Sequence, residues 1–535
     1  MVERSKTGWV EARQSVLRGA WPQRQRHRES AQRKTKLIPL RQTRARGRSE
    51  PLDQLFCALR DALAIGKLRA RHRVESSDCG IAARRRTTGL RRVPCASSDH
   101  RQELTGGSHC WIHLLKRWRK LVSKQGKFQS SRSRNLQIIE QTVGIGIEEG
   151  VLWRTSSSSA SRHVCVANEP FLNFGTCSYL GLHIRPELMN GAIDAIQRFG
   201  TQFSSSRVYS ACNLYSELES GLEQMTGRSV AVAASTTLLH MAAIPVLVGD
   251  TDLVIIDQFA HASLHMAAEL LGNTNVVRIR HSHMPKLELM IQKFADKHER
   301  IWYIADGLYS MRGDFAPFDE LSVLLDRYPK LHVYLDDAHS TGWYGECGRG
   351  AALSRLPNTE RVAVALSLAK SFSAAGGALA MATPELKKRI YLFGGTMFFS
   401  GPIQPPTLGA AVASVKLHLS RELPILQASL RSKIEYTRRI ARQMDVQYIA
   451  DDPTPIFFLP YDTTRSAVAA ARKFWEAGIY VCPVSFPAVP VSMPGIRFCI
   501  STLNEDEDID RLLTTAKLLQ LKTSNIEIQT NRESG

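Results

Sequence analysis

Short apolar runs alternate with amphipathic stretches from about residue 225, and this alternation is the feature that most constrains the fold. The β-branched runs predict strands at 229–235, 252–258, 276–281, 301–307, 332–338, 362–368 and 377–383. Helices are predicted between them at 238–248, 264–272, 285–298 and 318–329. Strands that alternate with helices are typical of a mainly parallel sheet covered on both faces. The sequence therefore predicts an α/β domain built on a seven-stranded sheet.

After Gly401-Pro402 the pattern changes to longer helices, which predicts a separate α+β domain. Its helices are expected at 406–419, 421–445, 464–477 and 506–520, with strands at 479–484 and 496–501. A chain of 535 residues also exceeds what a single core supports. The expected organisation is a basic, mostly disordered extension (1–134), an N-terminal region (135–224), a large α/β domain (225–405), a C-terminal α+β domain (406–522) and a polar tail (523–535).

The net charge of +20 is confined to the N-terminal extension. Residues 1–134 carry 33 Lys and Arg against 10 Asp and Glu, whereas the rest of the chain carries 37 against 40. Three interpretations remain open: a nucleic-acid-binding arm, a transit peptide, and a start codon assigned too far upstream. We favour the third, since the arm lacks zinc-finger spacing and an RNA-binding aromatic signature. The sequence thus favours no nucleic-acid partner.

Cysteine spacing and hydropathy indicate the cellular compartment in which the protein is expected. The 10 cysteines form no CxxC pairs and have no His-rich partner spacing, so we expect neither a metal site nor a disulfide framework. A reducing, cytoplasmic location follows from this pattern. Residues 229–249 are uncharged and long enough to span a bilayer, but Ser235, His240 and Pro245 interrupt them. We interpret them as a buried strand, a polar turn and a buried helix, and we expect no membrane span.

Lys370 lies 34 residues after Asp336, and the two side chains have complementary chemistry. An aldehyde cofactor needs an amine to hold it covalently, and it accepts electrons only if its ring nitrogen stays protonated beside a carboxylate. Both residues follow predicted strands, whose carboxyl ends meet at one edge of a parallel sheet. The pair therefore predicts a site for pyridoxal 5'-phosphate (PLP).

A series of motifs between about residues 165 and 520 resembles the α-oxoamine synthase family of fold-type-I PLP transferases. The motifs occur in the family's order: Asn173-Phe174 with Tyr179-Leu180-Gly181-Leu182, Asp257 with His261-Ala262-Ser263, Tyr309-Ser310-Met311 with Gly313-Asp314, Asp336 to His339, Gly345 to Gly350, and Ala369-Lys370. One such motif is weak evidence, but six in order are specific.

The resemblance implies roles around the cofactor ring. Lys370 would hold the cofactor and move protons at the substrate α-carbon, and Asp336 would pair with the ring nitrogen. His261 would stack on the ring face, and His339 would hydrogen-bond the phenolate oxygen. Lys370, His261 and Asp336 are therefore the expected catalytic residues.

The resemblance also implies how the phosphate and the substrate are bound. Thr236 and Thr237 open a helix, which suits a phosphate, and Ser367 supplies a further hydroxyl. Ser310 would lie near the imine. Ser400 would reach the phosphate of the neighbouring subunit, which implies a homodimer with shared sites. Arg497 would bind the amino-acid carboxylate through its planar fork.

The implied reaction is the condensation of an amino acid with an acyl thioester, usually with decarboxylation, to an α-amino ketone. The thioester would be carried by coenzyme A or by an acyl-carrier protein. Departures from the family pattern lie on the acyl-donor side: Cys177-Ser178, Tyr215, His240 and Arg312. Two alternatives therefore stay open, an aminotransferase on the same fold and a nucleic-acid-binding protein acting through the basic arm.

Overall fold

The computed structural model describes residues 134–158, 162–272 and 274–533, with side chains to residue 521. The predicted basic extension lies outside the described residues, apart from its last residue, which opens a helix over 134–148. The strands are β1 (Ser156–Ser158), β2 (His163–Val166), β3 (Glu169–Asn173), β4 (Ser229–Ala233), β5 (Leu253–Asp257), β6 (Asn275–Ile279), β7 (Ile301–Asp306), β8 (Leu331–Asp336), β9 (Val362–Ser367), β10 (Gly377–Met381), β11 (Ile456–Pro460), β12 (Ile479–Tyr480), β13 (Cys482–Val484) and β14 (Gly495–Cys499).

Helices cover both faces of the sheet and form much of the remainder. The α-helices after residue 148 are Pro186–Phe199, Asn213–Thr226, Thr236–Leu247, Ala262–Ala268, Met284–Phe294, Phe318–Arg327, Ala351–Arg355, Pro384–Phe393, Gly395–Phe399, Pro405–His418, Leu423–Gln443, Thr464–Glu476 and Asp506–Glu533.

The central sheet has seven strands in the order β4-β10-β9-β8-β7-β5-β6. Pairing is parallel from β9 through β6, while β10 runs antiparallel to both β4 and β9. The register places Asp306 of β7 directly beside Asp336 of β8. The predicted seven-stranded, mainly parallel sheet is therefore confirmed, and each predicted strand overlaps an observed one.

Successive side chains of a strand point to opposite faces of the sheet, and this explains why the strand sequences are apolar throughout. In β5, Leu253 and Ile255 pack into the core on one face of the sheet, whereas Val254 and Ile256 pack into the core on the other. A strand covered on both faces has no solvent-facing positions for polar residues. The continuous apolar runs that predicted the strands are thus a direct consequence of this two-sided burial.

The N-terminal and C-terminal segments associate through two smaller sheets. One has the order β1-β2-β3-β12, in which β12 pairs in parallel with β3, and the other has the order β11-β14-β13. The predicted strand at 479–484 is two strands here, since Val481 separates β12 from β13 and each half joins a different sheet. The proposed division at residues 225 and 406 stays a prediction.

The uncharged stretch 229–249 has the structure that its polar residues indicated. It forms β4, a short turn and the helix Thr236–Leu247, with Pro245 inside the helix. Across the described ranges, no helix combines the length and the apolar character needed to cross a membrane.

An imidazole between two carboxylates ties the sheet edge to the loop that follows β7. His281 Nε2 lies 2.7 Å from Asp314 Oδ2, and His281 Nδ1 lies 3.3 Å from Asp257 Oδ1. Burial opposes the charged form, but the hydrogen bonds and charges of both carboxylates outweigh it and raise the pKa of His281 to about 9. The folded protein therefore stabilises the imidazolium.

We predict that this imidazolium makes stability depend on pH. The folded pKa exceeds the ordinary value of 6.5, so the stabilisation is complete below pH 6.5 and is lost as pH rises through about 9. Its size is roughly 3 kcal/mol. The difference in free energy of unfolding between the parent protein and His281→Gln should be largest at low pH in this range and should shrink toward pH 9. Thermal unfolding in a pH series measures it.

His298→Gln is the matched control, because His298 is an exposed imidazole bonded only to the Thr251 carbonyl oxygen among the contacts described. Its pH profile should follow the parent protein. A constant difference for His281→Gln across the series would contradict the charged bridge.

Candidate active site

The carboxyl edge of the large sheet collects the chemistry-bearing side chains. Asp306 and Asp336 end β7 and β8, and Ser367 ends β9. Lys370 follows β9 in a short turn, where its φ is 47°. This left-handed conformation is rare for a residue with a side chain, and it occurs mostly where surrounding structure enforces it.

Lys370 is half-buried at the edge of a cavity and lies near charges of both signs. Burial lowers the pKa of its amine, while Asp336, Cys177 and Asp306 oppose the shift and Arg497 adds to it. A lowered pKa increases the fraction of neutral amine, which is the nucleophilic form. The environment therefore suits a lysine that reacts with an aldehyde.

Asp336 is held by a relay of buried side chains. His240 Nε2 lies 2.9 Å from Asp336 Oδ2, and the Tyr334 hydroxyl lies 2.9 Å from His240 Nδ1. Burial would raise the pKa of the Asp336 carboxyl, but the charge and hydrogen bond of His240, then Lys370 and His261, hold that pKa well below its usual range. Asp336 thus remains ionised although it is buried.

His261 is positioned by a second buried carboxyl group. Its backbone N–H donates to Asp306 Oδ1 at 2.8 Å, and its Nδ1 lies 2.7 Å from Ser263 Oγ. Burial lowers the pKa of His261. Burial also raises the pKa of Asp306, and the adjacent Asp336 charge raises it further. The two neighbouring carboxyl groups thus differ in charge, with Asp336 ionised and Asp306 favouring its proton.

His339 and Arg497 border the same buried region. The Tyr179 hydroxyl lies 2.7 Å from His339 Nδ1. Burial lowers the pKa of His339 well below its ordinary value, and the charges of Lys370 and Arg497 lower it further. Arg497 Nη1 donates to the Ser310 carbonyl oxygen at 3.4 Å, whereas its buried Nε has no hydrogen-bond partner among the described residues.

The start of the helix Thr236–Leu247 lies close to the backbone of β10. A Cβ atom on Gly377 would lie 2.6 Å from Thr236 Cα, so only glycine permits this approach. Ser235 caps the helix by accepting from the Leu238 N–H. The first N–H groups of a helix lack partners within it and favour anions. Thr236, Thr237 and the nearby strand end at Ser367 can therefore surround a phosphate.

Ser310 and Ser400 are placed differently from the other predicted residues. Ser310 joins the Lys370 region through its bond with Arg497. Ser400 Oγ donates to the Thr396 carbonyl oxygen at 2.7 Å, and none of its described contacts reaches Lys370 or Asp336. Thr396 Oγ1 donates to the Leu238 carbonyl oxygen at 2.6 Å, so the segment that bears Ser400 lies against the helix that begins at Thr236.

A cavity of about 320 Å³ opens beside Lys370. Its other lining residues come from the segment after β3 and from the turn after Lys370: Thr176, Cys177, Ser178, His183, Ser373 and Ala374. Ser178 Oγ lies 2.7 Å from His183 Nδ1 and 3.1 Å from Ser373 Oγ. The cavity is therefore polar at the lysine and large enough for a small substrate.

Comparison with known proteins agrees with this geometry. Residues 169–515 match the family model of aminotransferase class I and II. The 8-amino-7-oxononanoate synthase of Hahella chejuensis is 30% identical over 362 residues, which cover 67% of this chain and 89% of that protein. The serine palmitoyltransferase of Sphingobacterium spiritivorum is 26% identical and covers 71% of this chain and 94% of that protein.

Solved structures share the fold. The serine palmitoyltransferase of Sphingomonas wittichii has a TM-score of 0.67 at 22% identity, with 73% of this chain and 98% of that one covered. The 8-amino-7-oxononanoate synthase of Francisella tularensis has a TM-score of 0.56 at 20% identity, with 66% and 99% covered.

The chain belongs to the α-oxoamine synthase family. These enzymes are PLP-dependent and condense an amino acid with an acyl thioester, so the predictions of family, fold, cofactor and reaction class are confirmed at this level. The residues fit the cofactor: a half-buried amine for the aldehyde, an ionised buried carboxylate for the ring nitrogen, and a helix start with close backbone packing for the phosphate.

Three side chains shape the α-oxoamine synthase site beyond those selected from sequence. His240 contacts Asp336, Asp306 contacts the His261 backbone, and Tyr179 contacts His339. His240 was noted only as a departure from the family pattern. The signal for Tyr179 was its place in the Tyr-Leu-Gly-Leu motif, and Asp306 was visible as an acidic residue at a strand end.

We predict that His240 sets the affinity for PLP. His240→Phe removes the hydrogen bond that keeps Asp336 ionised, and a bond to a charged group contributes about 1.5–3 kcal/mol. The dissociation constant of PLP from the apoprotein should rise roughly 10- to 100-fold. Fluorescence titration of apoprotein with PLP measures it. Tyr334→Phe is the matched control, because it keeps the His240–Asp336 bond and should have a much smaller effect. Equal effects of the two variants would contradict the relay.

Proposed function

We propose that this protein condenses an amino acid with an acyl thioester in the cavity beside Lys370 and releases an α-amino ketone. The observation that carries the proposal is the half-buried Lys370 amine beside the buried, ionised Asp336 and next to the largely buried Arg497. When bound, PLP accepts the electron pair released at the substrate α-carbon. The amine, the carboxylate and the guanidinium supply the groups that hold it and the amino acid.

Lys370 and Asp336 have separate tasks in this proposal. The Lys370 amine holds the cofactor and, once the amino acid replaces it, takes the proton from the α-carbon. Its lowered pKa supports this base role, since a neutral amine can accept a proton. Asp336 stays ionised and keeps the ring nitrogen protonated.

The remaining residues bind and orient. His261 would cover the ring face, and His339, neutral in its buried position, would donate a hydrogen bond to the phenolate oxygen. The helix start at Thr236 and Thr237 binds the phosphate together with Ser367. Ser310, whose carbonyl oxygen accepts from Arg497, would contribute a hydroxyl close to the Lys370 amine. Each is a proposal that rests on the positions described above.

Arg497 binds the carboxylate of the amino acid. Its guanidinium is buried, and its charge is strong enough there to influence both Lys370 and His339. The unpartnered Nε supports a ligand at this point, because an unsatisfied buried donor costs about 1–3 kcal/mol. A planar fork suits a carboxylate, and it would hold the α-carbon next to Lys370.

A homodimer with Ser400 reaching the partner's phosphate site forms part of the proposal. An exposed apolar patch supports it: Phe399 is 92% exposed, Tyr209 86% and Phe393 68%, with Leu392 and Val208 adjacent in sequence. Ser206 Oγ donates to the Phe398 carbonyl oxygen at 2.9 Å, which joins the two segments that bear the patch. Contiguous exposed apolar surface commonly marks a protein interface.

The acyl group rides on coenzyme A or on an acyl-carrier protein in this proposal, and the enzyme works in the reducing cytoplasm. The six described cysteines are free thiols, which suits that compartment. The division into an N-terminal region, a large α/β domain and a C-terminal α+β domain, with a dispensable basic extension, also belongs to the proposal.

Borohydride trapping tests whether Lys370 holds the cofactor covalently. Reduction of the reconstituted protein should fix PLP on the peptide that contains Lys370, and Lys370→Ala should lose both the adduct and turnover of an amino acid with an acyl thioester. Lys416→Ala, which removes an exposed lysine, is the control and should behave as the parent protein. Trapping on another peptide would overturn the assignment.

The aminotransferase alternative is tested with an amino acid alone. Chromatography of the extracted cofactor should find PLP unchanged if the protein is a synthase. Stoichiometric pyridoxamine phosphate would instead identify an aminotransferase.

We predict that charge in the apolar patch separates the dimer and weakens the cofactor site. Phe393→Glu with Phe399→Glu should shift the protein to a monomer in light scattering and should lower PLP affinity, since Ser400 of the partner subunit would be lost. Ile425→Glu, at an exposed apolar position on the helix Leu423–Gln443, is the control. A dimer that persists in the double variant would contradict the patch as the interface.

A further inference from the structure

Three cysteine side chains surround Arg497, and together they form the thiol cluster: Cys177, Cys482 and Cys499. Cys482 of β13 is the register partner of Arg497 on β14. Cys499 follows Arg497 by two residues, so both side chains lie on the same face of the strand. Cys177 comes from the segment after β3, and each of the three cysteines, when ionised, raises the pKa of Arg497.

Cys177 and Cys499 are paired within this cluster. Cys177 packs against the buried cluster that contains Cys499, and the two thiols shift each other's pKa. The Cys499 backbone N–H donates to the Phe174 carbonyl oxygen at 2.8 Å, which holds β14 beside the segment that bears Cys177. Cys177 lines the cavity beside Lys370, whereas Cys499 is only 1% exposed. A small solute can therefore reach Cys177 first and Cys499 only through it.

The surrounding charges give the two thiols different reactivity. The hydrogen bond from Cys499 lowers the pKa of Cys177, burial opposes this, and the positive charges of Arg497 and Lys370 lower it further. The same hydrogen bond and burial raise the pKa of Cys499. Cys177 is thus the thiolate and Cys499 the protonated partner. Thiolates next to a second thiol are the cysteines most readily oxidised to disulfides.

We propose that Cys177 and Cys499 are an oxidation site at which hydrogen peroxide forms a disulfide. The Cys177 thiolate attacks one peroxide oxygen, the O–O bond breaks, and the released hydroxide takes a proton to become water. The sulfur of Cys499 then displaces the second hydroxide from Cys177, and the Cys499 proton completes a second water. In sum, two thiols lose two electrons and two protons, and one peroxide becomes two waters.

The disulfide changes the site although it forms no bond with Lys370. It fixes the segment after β3 to β14 beside Arg497, and it replaces the thiolate that faces the guanidinium with an uncharged sulfur. Because Cys177 lines the cavity beside Lys370, a linked and fixed Cys177 should obstruct the amino acid there, so oxidation should stop turnover. The loss of turnover rests on the proposed function, whereas formation of the disulfide does not.

The test uses the full-length, PLP-loaded protein. Reduced protein is treated with hydrogen peroxide, blocked with N-ethylmaleimide and digested without reductant. We expect mass spectrometry to find a linked peptide that joins Cys177 to Cys499, formed at the same rate at which condensation activity is lost. Dithiothreitol should remove the link and restore activity. If peroxide leaves both residues alkylated, or links Cys177 to another cysteine, the proposal is wrong.

Variants distinguish the roles of Cys177 and Cys499 from that of Cys482. Cys482→Ser, which removes the third thiol, should still form the Cys177–Cys499 link. Cys499→Ser should leave Cys177 as a sulfenic acid that dimedone captures, and longer exposure should make the oxidation irreversible to dithiothreitol. If Cys499→Ser recovers with dithiothreitol after long exposure as fully as the parent protein does, the role of Cys499 is wrong. Peptide mapping of the unmodified chain decides the proposal even if a variant fails to fold.

One outcome is a linked peptide in a protein whose reduced form shows no condensation activity. That result would contradict the proposed function but would not contradict the oxidation site. Condensation activity that survives complete linkage would overturn the inactivating role of the disulfide.

Discussion

The rest of the site depends on the stabilisation of one charge, that of the ionised Asp336 carboxylate, which is buried at the end of β8. A buried carboxylate is costly unless neighbouring groups stabilise its charge, and here His240, Lys370 and His261 do so. His240 lies on the helix whose first residues are Thr236 and Thr237. The bond that keeps Asp336 ionised therefore also fixes the helix start relative to the carboxylate, so the groups that we propose for the ring nitrogen and for the phosphate are positioned together.

Much of the large domain could be predicted because its strands are apolar on both faces. Such runs are compatible with few arrangements, and acidic residues at their ends, such as Asp306 and Asp336, fall on one edge of a parallel sheet. The direction of β10 was also accessible from sequence. Only nine residues separate the end of β9 at Ser367 from Gly377, which is too short for a parallel crossover.

Contacts between distant segments could not be predicted in the same way. The hydrogen bond of Tyr179 with His339 and the thiol contact of Cys177 with Cys499 join residues far apart in sequence. Tyr179 meets His339 in the loop that follows β8, whereas Cys177 meets Cys499 because β12 pairs with β3 and the Cys499 N–H donates to the Phe174 carbonyl oxygen. No local periodicity encodes that pairing, and the break at Val481, which makes it possible, resembles the middle of one continuous strand.

The departures from the family pattern act on the same electrostatic balance. At Lys370, burial and Arg497 lower the pKa of the amine, while Asp336 and Cys177 raise it. His240 keeps one of these negative charges in place, and the thiol pair controls the other. If Cys177 is oxidised, its negative charge disappears, so the pKa of the Lys370 amine falls further while Arg497 loses a counter-charge. The two substitutions thus act on the charge of the same lysine in the same direction, His240 permanently and Cys177, by the proposed oxidation, in a manner that depends on redox state.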